Sequence, residues 1–296
     1  MASSINVTAL PDYVNVHKDE LFVKSVAGAK TLDYIEIMGN VKYKDALEYL
    51  DSTVVLADGS QCGWNPQGDD VFSERYIEVK PVSVQKEMCW KDFIKKYNNY
   101  QLNIAAGRET LPFEQKIAES NMNAIKEAVD VLVWQGDSAL GIDGFIAQAN
   151  AENDTVKVTF AGGATTIAKV DAMVAAIPVK ALAKGARIFM SYTDFRAYVA
   201  EANASCCANK PIADAAAESL KYVGDSRIEL VPVLGLEGTN AMVASPADGL
   251  VYGTDVEGSE GMYRLFFDEK TSMFCLDVLF NAGTAIKFPD EVVIGA

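Results

Sequence analysis

One long helical pattern is the sequence feature that most constrains the fold of this chain. Pro112 stands where the first turn of a helix favours proline, and apolar residues then recur at helical spacing as far as Trp134. These residues are Ile117, Ile125, Ala128, Val129 and Leu132. Gly136 ends the pattern. A helix over residues 113–135 is about 35 Å long, so we expect it to be a spine on which the other elements pack.

The segment before the helix predicts an arm and then a hairpin. Residues 1–38 mix short apolar runs with polar breaks and show no sustained helical period, so we interpret them as an extended arm. Two β-like stretches, at residues 52–57 and 76–84, flank a tip of turn-forming residues at 58–70. The acidic spacing of this tip does not match a calcium loop, and we expect a long hairpin with an exposed end.

Trp64 lies in that tip among turn-forming residues. An aromatic side chain there cannot easily reach the core of its own subunit. It either anchors a contact with a neighbouring molecule or folds back on its own hairpin, and the sequence leaves both readings open. Trp64 is therefore a candidate intersubunit contact, together with its tip neighbours Asn65, Asp69 and Asp70.

Strand and helix patterns alternate after the long helix, which predicts an α/β unit of roughly 100 residues. Its expected elements are a strand at 155–160, a helix at 167–177, a buried strand at 186–190, a helix capped by Thr193, a helix at 212–222 and a strand at 228–234. The last third predicts strands at 263–267, 273–280 and 284–288, with turns at 268–270 and 281–283.

The sequence offers little that could carry catalysis. His17 is the only histidine, which argues against a histidine-dependent nucleophile or a two-histidine metal site. No phosphate-binding glycine motif is present, and the five cysteines have no metal-binding spacing. Asp130 and Asp255 are the strongest candidates for catalytic carboxylates, because each lies beside apolar sequence. A hydrogen-bonded structural role is nevertheless favoured for both. We expect no catalytic residue, cofactor or metal.

Charge and hydropathy narrow the class of protein further. The chain has 26 basic and 41 acidic residues, so its net charge is 26 − 41 = −15, which argues against a nucleic-acid-binding protein, because such proteins neutralise phosphates with clustered Lys and Arg. The N-terminus lacks the basic and apolar regions of a signal peptide, and no apolar run is long enough to span a membrane. We therefore expect a protein that begins in the cytoplasm and binds no membrane.

Four segments resemble one protein family. They are TNAMVASPADGLVYGTD at 239–255, FNAGTAIKFPDEVV at 280–293, GIDGF at 141–145 and IPVKALAKGARIFMSYTDFRAYVAE at 177–201. Each is short, but they occur in the expected order along nearly the whole chain. The chain resembles the major capsid proteins of tailed bacteriophages, which have the Hong Kong 97-type α+β fold.

The resemblance implies how the chain divides. An N-terminal arm would occupy residues 1–40 and an extended hairpin loop 41–82. A peripheral domain with the spine helix would comprise 83–154 and 256–296, and an α/β axial domain 155–255. The strands within residues 231–293 should then pair with the segment 82–90 and pack on the helix 113–135.

The resemblance also implies a function. Many copies would assemble into hexamers and pentamers of an icosahedral capsid that encloses double-stranded DNA without binding it specifically, and portal, scaffold or decoration proteins would be partners. The protein would assemble in the bacterial cytoplasm and reside in the virion. Two alternatives are an encapsulin-type nanocompartment shell, disfavoured because the N-terminus does not look helical, and a carboxylate-dependent hydrolase, disfavoured by the missing catalytic motifs.

Overall fold

The computed structural model describes residues 13–14, 16–17, 21, 24–26, 28–56, 69–89, 91–92, 95–96, 113–204, 219–222, 224–255 and 263–296. Within them, the backbone alone is described at residues 50–53, 69, 71 and 113–114. No helix in these ranges is both long and apolar enough to cross a membrane.

The described residues form strands in two large sheets and two small ones, together with helices of very different length. The strands are β1 (Glu36–Met38), β2 (Lys44–Thr53), β3 (Asp69–Glu78), β4 (Lys80–Cys89), β5 (Gly136–Asp137), β6 (Ile142–Asp143), β7 (Val156–Val158), β8 (Ala186–Ser191), β9 (Leu220–Lys221), β10 (Ile228–Val233), β11 (Met242–Pro246), β12 (Leu250–Thr254), β13 (Tyr263–Asp268), β14 (Met273–Ile286) and β15 (Val293–Gly295). The helices are α1 (Phe113–Gln135), α2 (Phe145–Ala151), α3 (Thr166–Ala176), α4 (Val179–Lys184) and α5 (Tyr192–Ala204), with 3-10 turns at Lys30–Asp33, Leu234–Leu236 and Pro289–Glu291.

The long helix α1 is present with the predicted bounds. It ends at Gly136, whose φ of +73° is a conformation that glycine adopts without strain. Ile125, Val129 and Val133 are buried at helical spacing along one face. This face belongs to the main apolar core, which also contains strands from both large sheets. The helix is therefore the spine that the sequence predicts.

The predicted pairing between distant parts of the chain is confirmed. The long strand β14 runs antiparallel to β4 from Met273 opposite Cys89 to Ala282 opposite Lys80. It also pairs with β12 and β13, and β12 pairs in turn with the short strand β1, giving a five-stranded sheet. Phe274 and Phe280 of β14 lie in the same core cluster as the buried face of α1.

The second large sheet is buried on both faces. Its strand order is β7-β15-β11-β8-β10-β9. In β8, Ile188 and Met190 belong to a core cluster with α3 and α5, whereas Phe189 between them packs 5.0 Å from the ring of Trp134 on α1. Because successive side chains of a strand point to opposite faces, the sheet separates a helical layer from the core around α1.

The hairpin is displaced from its predicted position. Its strands are β2 and β3, paired antiparallel from Lys44 opposite Glu78 to Thr53 opposite Asp69, rather than residues 52–57 and 76–84. The second predicted strand is in fact divided at Val79 between β3 and β4. The reason is that Val79 donates its backbone N–H to the carbonyl of Tyr43 at 2.9 Å, while β4 pairs with β14 in another sheet.

Three further predictions about local structure are wrong. Residues 281–283 do not form a turn, because they continue β14 opposite β4 and β12. Helix α5 is capped by Ser191, whose hydroxyl accepts from the backbone N–H of Asp194 at 3.0 Å, and not by Thr193. The end of the predicted helix 212–222 is strand β9, since Leu220 pairs with Leu230, and residues 212–218 lie outside the described part.

The interpretation of the N-terminal segment as extended is wrong at several of its described residues, although Glu36–Met38 form strand β1. Residues 13–14, 16, 21 and 24–26 are helical, and the backbone N–H of Leu21 donates to the carbonyl of His17 at 2.9 Å. Val14 and Val26 are buried in the core cluster that contains α1. These helical residues therefore contribute apolar side chains to the core around the spine helix.

Two strands pair outside the segments to which the sequence assigned them. The C-terminal strand β15 joins the six-stranded sheet between β7 and β11, although residues 256–296 were expected in the peripheral domain. Conversely, β12 pairs with β14 in the five-stranded sheet, although it falls within the expected axial domain. Both β12 and β15 contribute side chains to the core cluster that contains the buried face of α1.

Candidate intersubunit surface

The inner face of the β2–β3 hairpin is attached to its own subunit. Leu47 and Ile77 are buried with Val251 of β12. Tyr49 meets Phe288 edge-on, with ring centroids 5.5 Å apart. Further along the same face, the guanidinium of Arg75 forms an ion pair with Glu152 at the end of α2. These contacts fix the root of the hairpin and determine which face is left outside.

The outer face of the hairpin exposes aromatic and acidic side chains together. Phe72 is 81% exposed and Tyr76 53% exposed. Glu48 lies directly opposite Glu74 on this face, and both are exposed. Directly opposed like charges destabilise a strand pair. Two aromatic rings left in water beside this carboxylate pair are typical of a surface that becomes covered in an assembly.

Tyr76 is the centre of a small electrostatic cluster on that face. Its hydroxyl donates a hydrogen bond to a carboxylate oxygen of Glu74 at 3.0 Å. That hydrogen bond, together with the charge of Glu74, raises the pKa of Tyr76 above its ordinary value. The ammonium of Lys44 lies 4.2 Å from the centroid of the same ring. The face therefore already binds one ammonium group within its own chain.

The far end of the hairpin continues the apolar surface. After β2, Val54, Val55 and Leu56 are 75%, 50% and 93% exposed. Three consecutive exposed aliphatic residues are unusual in a protein that stays monomeric. With Phe72 they extend the uncovered surface from the root of the hairpin towards its tip.

The predicted contact residues divide into two groups. Trp64 and Asn65 lie outside the described residues. Asp69 and Asp70 are not in the tip, because they form the start of β3 opposite Thr53 and Ser52, and Asp70 is exposed there. Phe72 and Tyr76 were not among the contact residues predicted from the sequence. Their period-two spacing with Glu74 and Glu78 is a signal that would have placed them on the polar face of the strand.

A cavity of about 590 Å³ lies beneath the hairpin root, between β3, the turn after α1, α2 and β14. Lys80 donates to the carbonyl of Gly141 at 2.6 Å, and Gln148 donates to the carbonyls of Asp143 and Thr284 at 2.9 and 2.8 Å. The ion pair of Arg75 closes one side. These polar groups bond to one another across the cavity, so their arrangement supports the hairpin root rather than a ligand.

Asp130, one of the two carboxylates singled out in the sequence, is a buried and hydrogen-bonded side chain. It is 3% exposed and accepts hydrogen bonds from the backbone N–H groups of Thr31 and Gly235 at 3.3 and 2.8 Å, and from the Thr31 hydroxyl. Such a satisfied carboxylate holds elements together rather than facing a substrate. Across the described ranges, no group of three or more His, Cys, Asp or Glu side chains is placed to hold a metal ion.

No protein-family model matches the sequence, and no curated protein matches it. Solved structures do match. A chain of the satellite phage P4 procapsid is 8% identical, with a TM-score of 0.63, covering 94% of this chain and 90% of its own. A structure from Mycobacterium phage Cain is 14% identical, with a TM-score of 0.56 and coverages of 90% and 89%. A virus-like particle from Pyrococcus furiosus is 10% identical, with a TM-score of 0.53 and coverages of 94% and 96%.

These likenesses show the fold of the chain. The α+β fold of the Hong Kong 97-type phage capsid proteins, expected from the sequence, is confirmed. The likeness extends over about nine tenths of the chain.

Proposed function

We propose that this protein is the shell subunit of an icosahedral phage capsid. The observation that carries the proposal is the combination of the capsid fold over 94% of the chain with a hairpin whose outer face leaves Phe72 and Tyr76 in water. A hairpin anchored at its root and uncovered along one face is suited to lie across a neighbouring subunit. Burial of such aromatic surface contributes about 25 cal/mol for each Å² removed from water.

The assembly follows from the asymmetry of this contact. A hairpin that covers a different surface on the next copy makes a heterologous interface, and such interfaces close into rings by rotation. Hexamers and pentamers built in this way tile an icosahedral shell. In this proposal the arm, hairpin, peripheral domain and axial domain are units of the shell subunit, with β12 and β15 linking the last two.

The remaining partners and the location belong to the same proposal. Portal, scaffold or decoration proteins complete the particle, which assembles in the host bacterial cytoplasm and is the virion capsid. The net charge of −15 suits an inner wall that encloses double-stranded DNA without specific contacts, because like charges do not adhere. A structural role without enzymatic activity accords with the capsid fold. It also accords with the hydrogen bond that the buried Asp130 carboxylate accepts from the backbone N–H of Gly235.

The N-terminal segment does not separate the encapsulin-type alternative from the phage capsid. The helical residues near the N-terminus remove the reason for which it was disfavoured. The phage assignment is instead supported by the procapsid and phage structures among the similar folds. The contents of purified particles separate the two: double-stranded DNA supports the phage capsid, and a packaged protein cargo supports the nanocompartment.

Assembly of the expressed protein tests the proposal directly. Size-exclusion chromatography followed by negative-stain electron microscopy should show closed shells or ring-shaped capsomers. A stable monomer at micromolar concentration would contradict the proposed function.

A further inference from the structure

The outer face of the hairpin carries a directly opposed pair of carboxylates, Glu48 and Glu74, as well as Lys44 near the Tyr76 ring. Among the described residues, neither Glu48 nor Glu74 has a lysine or arginine nitrogen within 4.0 Å. The two carboxylates are directly opposite each other, and directly opposed residues have Cβ atoms about 5 Å apart. A pair of cations at matching spacing would remove the repulsion between them.

A lysine-rich segment elsewhere on the surface has the complementary property. Residues 86–96 contain four lysines and two acids, a net charge of 4 − 2 = +2 in a chain whose net charge is −15. Lys86, Lys91, Lys95 and Lys96 are all exposed. Lys86 donates to the side-chain carbonyl of Asn121 at 2.8 Å, and Lys95 is 3.8 Å from Asp92.

The spacing within this segment fits the carboxylate pair. Lys91 in the described residues 91–92 and Lys95 in 95–96 are both helical and exposed, and residues four apart on a helix have Cβ atoms about 6 Å apart. The long stems of lysine also pack well on apolar surface. An ammonium group beside Phe72 would repeat the contact that Lys44 already makes with the ring of Tyr76.

We propose that the hairpin face formed by Glu48, Phe72 and Glu74 docks on Lys91 and Lys95 of a second copy of this chain. The inference rests on the proposed shell function and specifies the contact that joins neighbouring subunits. The two surfaces are different parts of the chain, so their contact is heterologous and repeats from copy to copy around a ring. The charge pairs also select the register in which the hairpin docks.

A charge-swap experiment tests this pairing. The double variant Glu48→Lys, Glu74→Lys and the double variant Lys91→Glu, Lys95→Glu should each lower the assembled fraction by about tenfold, because like charges then meet across the interface. Combining all four substitutions should restore assembly to within about twofold of the wild type. The assembled fraction is measured by sedimentation and negative-stain microscopy at fixed protein concentration and salt.

A matched control separates local pairing from net charge. The variant Asp154→Lys, Glu269→Lys alters two exposed acids that belong to neither proposed surface and changes net charge by the same amount as Glu48→Lys, Glu74→Lys, so it should assemble like the wild type. Circular dichroism and thermal unfolding of each unassembled variant report whether it is folded.

The outcomes distinguish the two proposals. If wild-type protein forms shells and the folded charge-reversed variants do so equally well, the docking pair is wrong while the shell function stands. A folded quadruple variant that stays unassembled would also overturn the docking pair, because the restored charge pairing would then fail to rescue assembly. Wild-type protein that never assembles would remove both proposals.

Discussion

The carboxylate of Asp130 accepts a 2.8 Å hydrogen bond from the backbone N–H of Gly235, which lies 105 residues further along the chain. Its other oxygen accepts from Thr31, whose hydroxyl in turn accepts from the indole N–H of Trp134 at 2.7 Å. One buried side chain of the long helix thus connects the N-terminal segment with the turn that follows β10. The three parts of the core are held in one arrangement by this network.

Replacing Asp130 with alanine should destabilise the folded subunit. The substitution leaves the two backbone N–H groups of Thr31 and Gly235 buried without an acceptor, and the expected loss in the free energy of unfolding is about 2–5 kcal/mol. Urea unfolding followed by circular dichroism measures it. Glu127 is exposed on the same helix, so Glu127→Ala should change stability by less than about 0.5 kcal/mol. Equal effects of the two substitutions would contradict the role of the network.

Gly235 has no room for a side chain. A Cβ at this position would collide with the backbone carbonyl of Asp130 and lie 2.5 Å from the Trp134 ring. We expect Gly235→Ala to cost roughly 1–3 kcal/mol, the usual range for overpacking. At Gly162 a Cβ would meet nothing within 4 Å, so Gly162→Ala is the matched control. A neutral Gly235→Ala would show that α1 and the 3-10 turn can move apart freely.

Stability at alkaline pH should depend on Tyr222. Burial, followed by a hydrogen bond of 2.8 Å to Asp171, raises the pKa of its hydroxyl from 10.0 to about 12. The folded state thus favours the protonated phenol, so its contribution is complete below pH 10 and is lost as the pH rises from 10 towards 12. The difference in unfolding free energy between wild type and Tyr222→Phe should fall over that interval. A difference that stays constant with pH would refute the assignment.

Phe72 should matter for assembly and not for folding. Its side chain is 81% exposed, so Phe72→Ala should leave the urea midpoint of the isolated subunit within experimental error of the wild type. Removal of a hot-spot residue from the centre of an interface costs about 2 kcal/mol or more, so the concentration needed for assembly should rise by at least about tenfold. Phe266, 48% exposed on β13, supplies the control Phe266→Ala. Unchanged assembly of the Phe72 variant would place the hairpin face outside the contact.

The long helix could be predicted from the sequence itself, whereas the pairing of β4 with β14 was expected only from the resemblance to the capsid family. The helix is encoded locally, because its apolar period and the glycine at its end act within a few residues of each other. The hairpin could be expected as an element but not placed correctly. Its strand ends depend on Val79, which bonds to Tyr43 across the root, and no local pattern reports such a contact.

The candidate contact surface was predicted only in part. Trp64 and its neighbours were predicted as contact residues because turn-forming residues surround Trp64. In the structure, the exposed aromatic residues are Phe72 and Tyr76 on strand β3. Those two residues have the spacing of an ordinary amphipathic strand. Only the packing of Leu47 and Ile77 onto β12 shows that the aromatic side faces away from the subunit.

The amino-acid sequence by itself determined the elements whose signals are local: the helix α1, the helical layer around α3 and α5, and the order in which strands follow them. Tertiary structure decided how strands join. Gly283 illustrates this, because a Cβ there would collide with the carbonyl of Glu78, and its partner across β12 is Gly253. A stretch that predicts a turn is thus a straight part of β14. Glycine permits either conformation locally, and here the close approach of a chain segment 205 residues earlier in the sequence, 283 − 78 = 205, selects the strand.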